Sequence, residues 1–432
     1  IAFSGPIILA NLLQTSYQFI DSLWIGNLLG AEALGAVAVS SVIIFTVLSF
    51  VIGMNAAALT ILSQQRGRGG GGLANYLNAF VFILFLLASA LGVAGYFLAG
   101  TLLEILGTPA SLLPEAQQYL QITFLGMLFL FGYNFISTVL RALGDSKTPM
   151  RFVALAVLLN TVLDPLLIHT FGFGVRGAAF ATVLSQGLAF LYGLVHVTRR
   201  KLAPFRRPTL PTWVETRTIL SLGIPAGLQM AVISGGSAAI MSVVTSFGGA
   251  VVGGFGAAQR LDSLISLPAQ ALGIAASSMA GQNIGRGNWG RVNQISKVTV
   301  LYNLAIMLTI ALVLVIFAEP AVRLFLDEPE AVDFAVRYLR TVAFFYPFLG
   351  INFVLNGVVR AAGAMYQVLA LNIISFWVLR YPLTAAFSNW LGERGIAVGI
   401  GTSFVISSLF AVLYFRFGKW REKELFEEGE RS

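Results

Sequence analysis

Residues 79–100 form one uninterrupted run of the chain without a single Asp, Glu, Lys or Arg. A helix needs about 20 apolar residues to cross the hydrocarbon core of a bilayer, so a run of this length is typical of a membrane span. The whole chain of 432 residues is 57% hydrophobic and only 11% charged, whereas a soluble domain carries about 25% charged residues. The short alternating segments that build β-barrels are absent. The sequence therefore predicts an all-α integral membrane protein.

Twelve apolar segments are long enough to be transmembrane helices. They are predicted at residues 3–28, 34–62, 74–100, 116–141, 149–170, 174–198, 217–246, 250–280, 293–317, 331–360, 366–390 and 395–418. Most of the 27 Lys and Arg residues lie in loops that follow even-numbered spans or in the C-terminal tail. Because cytoplasmic loops carry an excess of basic residues, we expect a multi-pass protein of the cell (cytoplasmic) membrane with both termini in the cytoplasm. The net charge of +8 has the same origin and does not indicate nucleic-acid binding.

The two halves of the sequence resemble each other at an offset of 218 or 219 residues. The matched pairs are Pro6 with Pro225, Gln64 with Gln282, Asn134 with Asn352, Arg141 with Arg360, and Gly177 with Gly395. Six spans in each half give both copies the same orientation, which predicts two six-helix lobes related by a pseudo-twofold axis along the membrane normal. The predicted domains are an N-terminal lobe at 1–198, a basic cytoplasmic linker at 199–216, a C-terminal lobe at 217–418 and a charged cytoplasmic tail at 419–432.

Ionisable side chains within apolar spans mark candidate functional positions, because each costs about 2.5–3.5 kcal/mol on insertion scales. Asp21 of the first span follows Gln14 by seven residues and Tyr17 by four, which places the three on one helix face. Asp164 of the fifth span lies four residues after Asn160, again on one face. These oxygen-rich faces predict a site that binds a proton or a hard cation such as Na⁺.

Thr182 on the sixth span is the remaining polar group that we expect in this site. Asp21, Asn160, Asp164 and Thr182 are then possible Na⁺ ligands, with Tyr17 nearby. The alternative is that the two acids only hydrogen-bond neighbouring helices, although a neutral Asn would do so at lower cost. Neither acid has an acidic twin in the second half, which favours a specialised role of the first half. With no cysteine and two histidines, we expect no cofactor besides the coupling ion, H⁺ or Na⁺.

Three further charged residues lie within predicted spans, Arg260 and Asp262 on the eighth and Arg380 on the eleventh. We expect Asp262 and Arg380 to form a structural ion pair. Contacts with a substrate, to which Gln14 could also contribute, are the alternative. Pro6 lies near the start of the first span, where proline permits a bend, and we predict that it is a hinge, with a static kink as the alternative.

Residues 5–6 and 14–26 resemble the first helix of the multidrug and toxic compound extrusion (MATE) transporters, and residues 141–149 and 160–165 resemble the same family. The resemblance implies a V-shaped pair of six-helix lobes that exports amphipathic, often cationic drugs in exchange for H⁺ or Na⁺.

Two branches of the family differ in where their acids lie. The DinF-like branch has its coupling cluster in the N-terminal lobe, and this pattern matches Asp21, Asn160, Asp164 and Thr182 here. The NorM-like branch places acids on the seventh and tenth helices. This sequence has none within the seventh span and only Asp333 near the outer end of the tenth. The resemblance therefore favours the DinF-like branch.

We thus expect a secondary active multidrug antiporter, not an enzyme, that works as a monomer in the bilayer on small amphipathic substrates. In this hypothesis the charged acids repel each other, and protonation or cation capture lets the first helix bend near Pro6. Two alternatives stay open. One is a flippase for a lipid-linked oligosaccharide or another lipid, to which Arg260 and Arg380 would supply positive charge. The other is an intramembrane aspartyl enzyme with Asp21 and Asp164 as its dyad.

Overall fold

The computed structural model describes residues 2–69, 71–205 and 209–426, and all the regular secondary structure in these ranges is helical. The α-helices are α1 Ser4–Leu29, α2 Ala31–Arg68, α3 Gly72–Ile105, α4 Leu113–Leu125, α5 Met127–Ala142, α6 Lys147–Pro165, α7 Val175–Arg199, α8 Trp213–Thr245, α9 Gly249–Gly285, α10 Trp289–Arg323, α11 Pro329–Ala343, α12 Tyr346–Ala361, α13 Met365–Ile373, α14 Tyr381–Leu391 and α15 Arg394–Phe417. Short π-helical segments follow α6 at Leu166–Thr170 and join α13 to α14 at Ile374–Arg380.

The helices form twelve spans. Within the described ranges, nine are long and apolar enough to cross a membrane alone, and two bent pairs, α4 with α5 and α11 with α12, each form one further span. Helix α1 is the twelfth, with 26 residues, and Gln14, Gln18 and Asp21 make it more polar than the others. Large apolar side chains such as Phe97, which is 78% exposed, cover the outside of these helices, as expected for a surface in contact with lipid. The predicted all-α, twelve-span membrane fold is confirmed.

The fourth and tenth spans are bent, although the sequence predicts each as one straight helix. The bend between α4 and α5 is 51°, and the bend between α11 and α12 is 56°. The first bend lies at Gly126, where a Cβ atom would collide with the side chain of Val183 on α7. The second lies just before Pro347, which has no N–H to continue the hydrogen bonds of α11 into α12. Close packing and a missing donor therefore break the two spans.

The chain divides into two compact units, with the division between Gly223 and Ile224 inside α8. In the first unit α1 packs on α6, α6 packs on α7, and α4 and α5 both contact α7. In the second unit α9 packs against α10, α11 and α12, and α15 packs against α12 and α14. Within each unit the last helix thus contacts the bent span.

The predicted linker and tail are partly packed. The side chain of Asn78 on α3 donates to both oxygens of Thr209, whose backbone N–H donates back to Asn78 at 3.2 Å. Trp420, in a turn of 3₁₀ helix after α15, is fully buried and stacks on Phe415. Residues 206–208 of the linker, which include two of its arginines, and residues 427–432 of the tail lie outside the described residues.

Candidate functional site

The predicted acidic site lies where α1 packs against α6 in the first unit. Asp164 and Asn160, one turn apart on α6, are both fully buried, and Asp21 on α1 is half-buried. Helix α6 continues to Pro165, so the buried carboxyl group is followed directly by a residue without an N–H. The structure therefore brings together the two acids that sequence spacing places on separate helix faces.

Hydrogen bonds fix the groups around the two acids. The Asn160 side-chain amide donates to Asp164 Oδ1 at 3.2 Å. The Tyr17 hydroxyl donates to Thr182 Oγ1 on α7 at 2.9 Å, so it binds neither acid. The carboxyl groups of Asp21 and Asp164 lie close enough to interact electrostatically, across the contact of α1 with α6. All five predicted residues thus belong to one cluster of three helices, with Tyr17 and Thr182 beside the acids.

The cluster contains carboxyl and amide oxygens that accept no hydrogen bond from any described residue. Asp21 Oδ1, Asn160 Oδ1 and Asp164 Oδ2 are buried and have no hydrogen-bond partner there. Neither acid forms an ion pair with any described Lys, Arg or His. Removing a charged group from water is costly unless it is neutralised or paired. These unpaired oxygens are therefore free to accept a proton or to bind a cation.

Tyr119 is a further member of the site that the residue patterns do not identify. It lies on α4, is buried, and is within electrostatic range of both Asp21 and Asp164. Its position differs by 219 residues from that of Tyr338 in the second half, a match within the offset of the repeat. The presence of a tyrosine at the same position in both halves is the sequence signal from which the importance of Tyr119 could have been inferred.

A small cavity adjoins the cluster on the side of Tyr17. Its volume is about 10 Å³, which is space for about one water molecule. The lining residues are Gln14, Tyr17, Tyr133, Ala156, Val157, Ser185 and Gln186. The buried hydroxyl of Tyr133 has no hydrogen-bond partner among the described residues. Gln14 thus lies beside the acidic cluster and lines a polar space.

The second unit contains a different polar centre, and the predicted ion pair between Asp262 and Arg380 is wrong. Asp262 on α9 accepts hydrogen bonds from Tyr338 at 3.1 Å and from Tyr346. No salt bridge joins Asp262 to Arg380 within the described chain. The carboxylate of Asp262 thus accepts hydrogen bonds from phenol groups on both helices of the bent span, α11 and α12. Spacing along the sequence could not reveal these contacts between helices. Arg260 is exposed and lies two residues before Asp262, on the opposite face of α9.

Pro6 does not break a helical hydrogen bond in the described chain. It is the third residue of α1, where an N–H has no acceptor within the helix, and α1 continues without interruption to Leu29. The local geometry on which the hinge interpretation depended is therefore not found, and the hinge stays a prediction.

The sequence matches the MatE family twice, over residues 6–166 and 225–386. The two matches start 219 residues apart and cover the two halves of the repeat. A probable multidrug resistance protein, YpnP of Bacillus subtilis strain 168, is 62% identical over 429 residues, which cover 99% of this chain and 96% of that protein. A Shewanella oneidensis protein named as an FAD transporter is 26% identical and covers 92% of this chain and 89% of its own length.

Two solved structures share the fold. One is an outward-facing multidrug resistance MATE family transporter of the MOP superfamily, with a TM-score of 0.91, 23% identity, and coverage of 96% of this chain and 94% of that chain. The other is the Vibrio cholerae MATE transporter VcmN, with a TM-score of 0.93, 22% identity, and coverage of 98% and 97%. Because the family match covers both halves and the Bacillus relative aligns along nearly the whole length, the chain belongs to the MatE family, the multidrug and toxic compound extrusion transporters.

Proposed function

We propose that the protein is a secondary active multidrug antiporter that exports amphipathic, often cationic compounds in exchange for protons. The names of the Bacillus relatives support multidrug export as the function. We place the protein in the cell membrane with both termini in the cytoplasm, acting as a monomer. The coupling site is the pair Asp21 and Asp164 in the first unit.

The observation that carries the proposal is the pair of adjacent buried carboxyl groups without a counter-ion. Two carboxylates cannot donate to each other, so the contact between Asp21 and Asp164 is a hydrogen bond only when one of them is protonated. Like charges this close repel each other, so the pair binds its protons jointly. A shared proton thus stabilises the closed arrangement of α1 on α6.

Coupling requires that the proton bind one conformation better than another. The contact of α1 with α6 provides such a difference, because it is favourable with a shared proton and repulsive without one. Loss of the proton separates the acids, hydrates them and loosens α1 from α6. Binding of the drug and binding of the proton then oppose each other, since each stabilises a different position of α1.

Na⁺ is the second candidate for the coupling ion. The unpaired oxygens of Asp21, Asn160 and Asp164 lie in one cluster, and hard cations bind carboxylate and amide oxygens. Thr182 Oγ1 already accepts a hydrogen bond from Tyr17 and is the weakest of the predicted ligands. The nearness of the two carboxyl groups favours the proton, because a Na⁺ ion bound by both would have to lie between them.

The test uses the purified protein in liposomes with an internal pH-sensitive dye and an outward or inward proton gradient. We expect drug movement to be driven by the pH gradient in the wild type and to become independent of it in Asp21→Asn and Asp164→Asn. Asp333→Asn, which removes an exposed carboxylate of the second unit, is the matched control. Gradient-driven transport in both cluster variants would refute the coupling role, and a response to a Na⁺ gradient alone would replace the proton by Na⁺.

The two alternatives have less support. A flippase for lipid-linked sugars would need several cationic groups around a diphosphate, whereas Arg260 is exposed and Arg380 is the buried arginine of the polar centre in the second unit. An aspartyl enzyme would use the same two acids, but the relatives that cover most of the chain are named as resistance proteins or transporters.

A further inference from the structure

Arg380 of the second unit is a buried cation held in one orientation. It ends the π-helical segment that joins α13 to α14 and is only 9% exposed. Its guanidinium carbon lies 3.8 Å from the centre of the Phe376 ring and 4.7 Å from that of Phe404. Its Nε donates to Ser403 Oγ on α15 at 3.2 Å. Aromatic contacts and one hydrogen bond thus fix the plane of the guanidinium group.

These contacts leave the two terminal nitrogens of Arg380 without a hydrogen-bond partner among the described residues. Asp262 does not fill this role, because no salt bridge joins it to Arg380 and its hydrogen bonds come from Tyr338 and Tyr346. Ser403 accepts only from Nε and directs its own proton to the carbonyl of Ile400 at 2.6 Å. Arg380 therefore presents its terminal donors with no protein acceptor opposite them.

A guanidinium group binds two oxygens of one carboxylate or phosphate through two parallel hydrogen bonds, a geometry that Lys cannot reproduce. We propose that Arg380 is an oxyanion subsite that binds the carboxylate or phosphate group of an amphiphilic compound. The phenyl rings beside it supply apolar contact for the adjoining part of the same molecule. This inference rests on the proposed export function and adds to its substrates a class that carries a negative group.

Asp262 has a defined role in such a site. It is within electrostatic range of Arg380 and balances its charge over a distance, but its two oxygens are occupied by tyrosine hydroxyls. The cation is thus partly compensated in the empty protein without losing its hydrogen-bond donors. A negatively charged ligand group would neutralise the remaining charge of Arg380 and would also accept the hydrogen bonds of its terminal nitrogens.

The test compares two probes that differ in one group, a fluorescent fluoroquinolone with a free carboxylate and its methyl ester. Equilibrium binding is measured with the purified full chain in nanodiscs of phosphatidylcholine. For Arg380→Gln we expect the affinity for the acid to fall at least about tenfold, as for loss of a charge-assisted bidentate pair, with the affinity for the ester unchanged. Arg260→Gln, which removes an exposed arginine near Asp262, is the matched control and should change neither affinity.

Arg380→Lys keeps the charge without the fork, and we expect it to lose part of the preference for the acid. It also replaces Arg380→Gln if that variant does not fold, as judged by its thermal unfolding. Equal losses for acid and ester, or no loss for either, in a folded variant would overturn the proposal.

A lipid headgroup could supply the same oxyanion. If phosphatidylglycerol in the nanodiscs weakens binding of the acid to the wild type but not to Arg380→Gln, the subsite exists and lipid also occupies it. If phosphatidylglycerol has no effect, the amphiphile is the source of the oxyanion. The comparison of acid with ester at one fixed pH needs no proton gradient, so failure of the antiport mechanism leaves this result intact. Absence of binding of both probes to the wild type would instead count against drug export itself.

Discussion

The two units carry buried carboxyl groups in opposite electrostatic settings. In the first unit Asp21 and Asp164 face each other and have no cation beside them among the described residues. In the second unit Asp262 accepts two phenol hydroxyls and has Arg380 in electrostatic range. The first centre has no positive group of its own, whereas the second has two phenol donors and an arginine nearby. The two units of the repeated fold thus surround their buried acids with different partners.

A shared tyrosine makes the comparison closer than the sequence suggests. Tyr119 and Tyr338 occupy matching positions on the first limb of each bent span, and each lies near the buried acid of its unit. The acids themselves come from different helices, α1 and α6 in one unit and α9 in the other. The absence of acidic twins in the sequence therefore does not mean that the second unit lacks a buried acid at the corresponding place.

The largest expected effect separates the two centres by function. Asp164→Asn should lower proton-driven efflux at least about tenfold, as for loss of a coupling free energy of a few kcal/mol. Asp262→Asn should leave the dependence on the proton gradient intact, because its charge is already balanced. Efflux from liposomes at imposed pH gradients measures both. Loss of proton dependence in a folded Asp262→Asn variant would show that the units share the coupling role.

A second prediction concerns the packing that the units have in common. Gly177 and Gly395 stand at matching positions in the first turns of α7 and α15, and a Cβ at either would strike the backbone of the preceding span, near Leu167 or Phe387. Alanine at each should lower the stability by roughly 1–3 kcal/mol or more, because backbone cannot move aside. Thermal unfolding in detergent measures this. Gly253→Ala, where nothing lies near the added atom, is the control, and a large loss in only one unit would break the symmetry.

The tyrosine pair predicts a smaller, unequal effect. Tyr338→Phe removes a donor from buried Asp262 and should lower the stability by about 1–3 kcal/mol. Tyr119→Phe should have little effect on stability, because no hydrogen bond of its hydroxyl is found among the described residues. Unfolding midpoints of the two variants give the difference. Equal losses would mean that Tyr119 also donates to an acid.

The smallest effect is expected for the side-chain contact between the bent span and the start of the last helix. This contact is a hydrogen bond to a neutral amide in the first unit and a salt bridge in the second. Gln118 accepts from Arg176 at 2.7 Å in the first unit, whereas its counterpart Arg337 pairs with Glu393 at 2.6 Å in the second. Both pairs are partly exposed, so Glu393→Gln should lower the stability by about 0.5 kcal/mol, and less in high salt. Gln118→Ala should show no salt dependence. A salt-dependent change in the stability of Gln118→Ala would contradict the conclusion that only the contact in the second unit is a salt bridge.

The twelve spans could be predicted because each rests on a local property, a run of apolar residues. The bends could not, since the chain contains 45 glycines and only the neighbour of Gly126 makes that position a break. Helical spacing placed Asp164 beside Asn160 because both lie on one helix. It gave no distance between helices, so the pairing of Asp262 with Arg380 was wrong and the tyrosines that satisfy Asp262 were missed.

The turn after Asp164 departs from the regular hydrogen bonding of an α-helix. Pro165 has no N–H, and the π-wound residues Leu166–Thr170 bond one residue farther along the chain, as in the bond from Phe171 N–H to the carbonyl of Leu166 at 2.9 Å. Amide protons in this turn should therefore exchange with deuterium sooner than those of the helix before it. The most buried carboxyl group of the first unit thus sits at the edge of a backbone segment that can open without unwinding the rest of the helix.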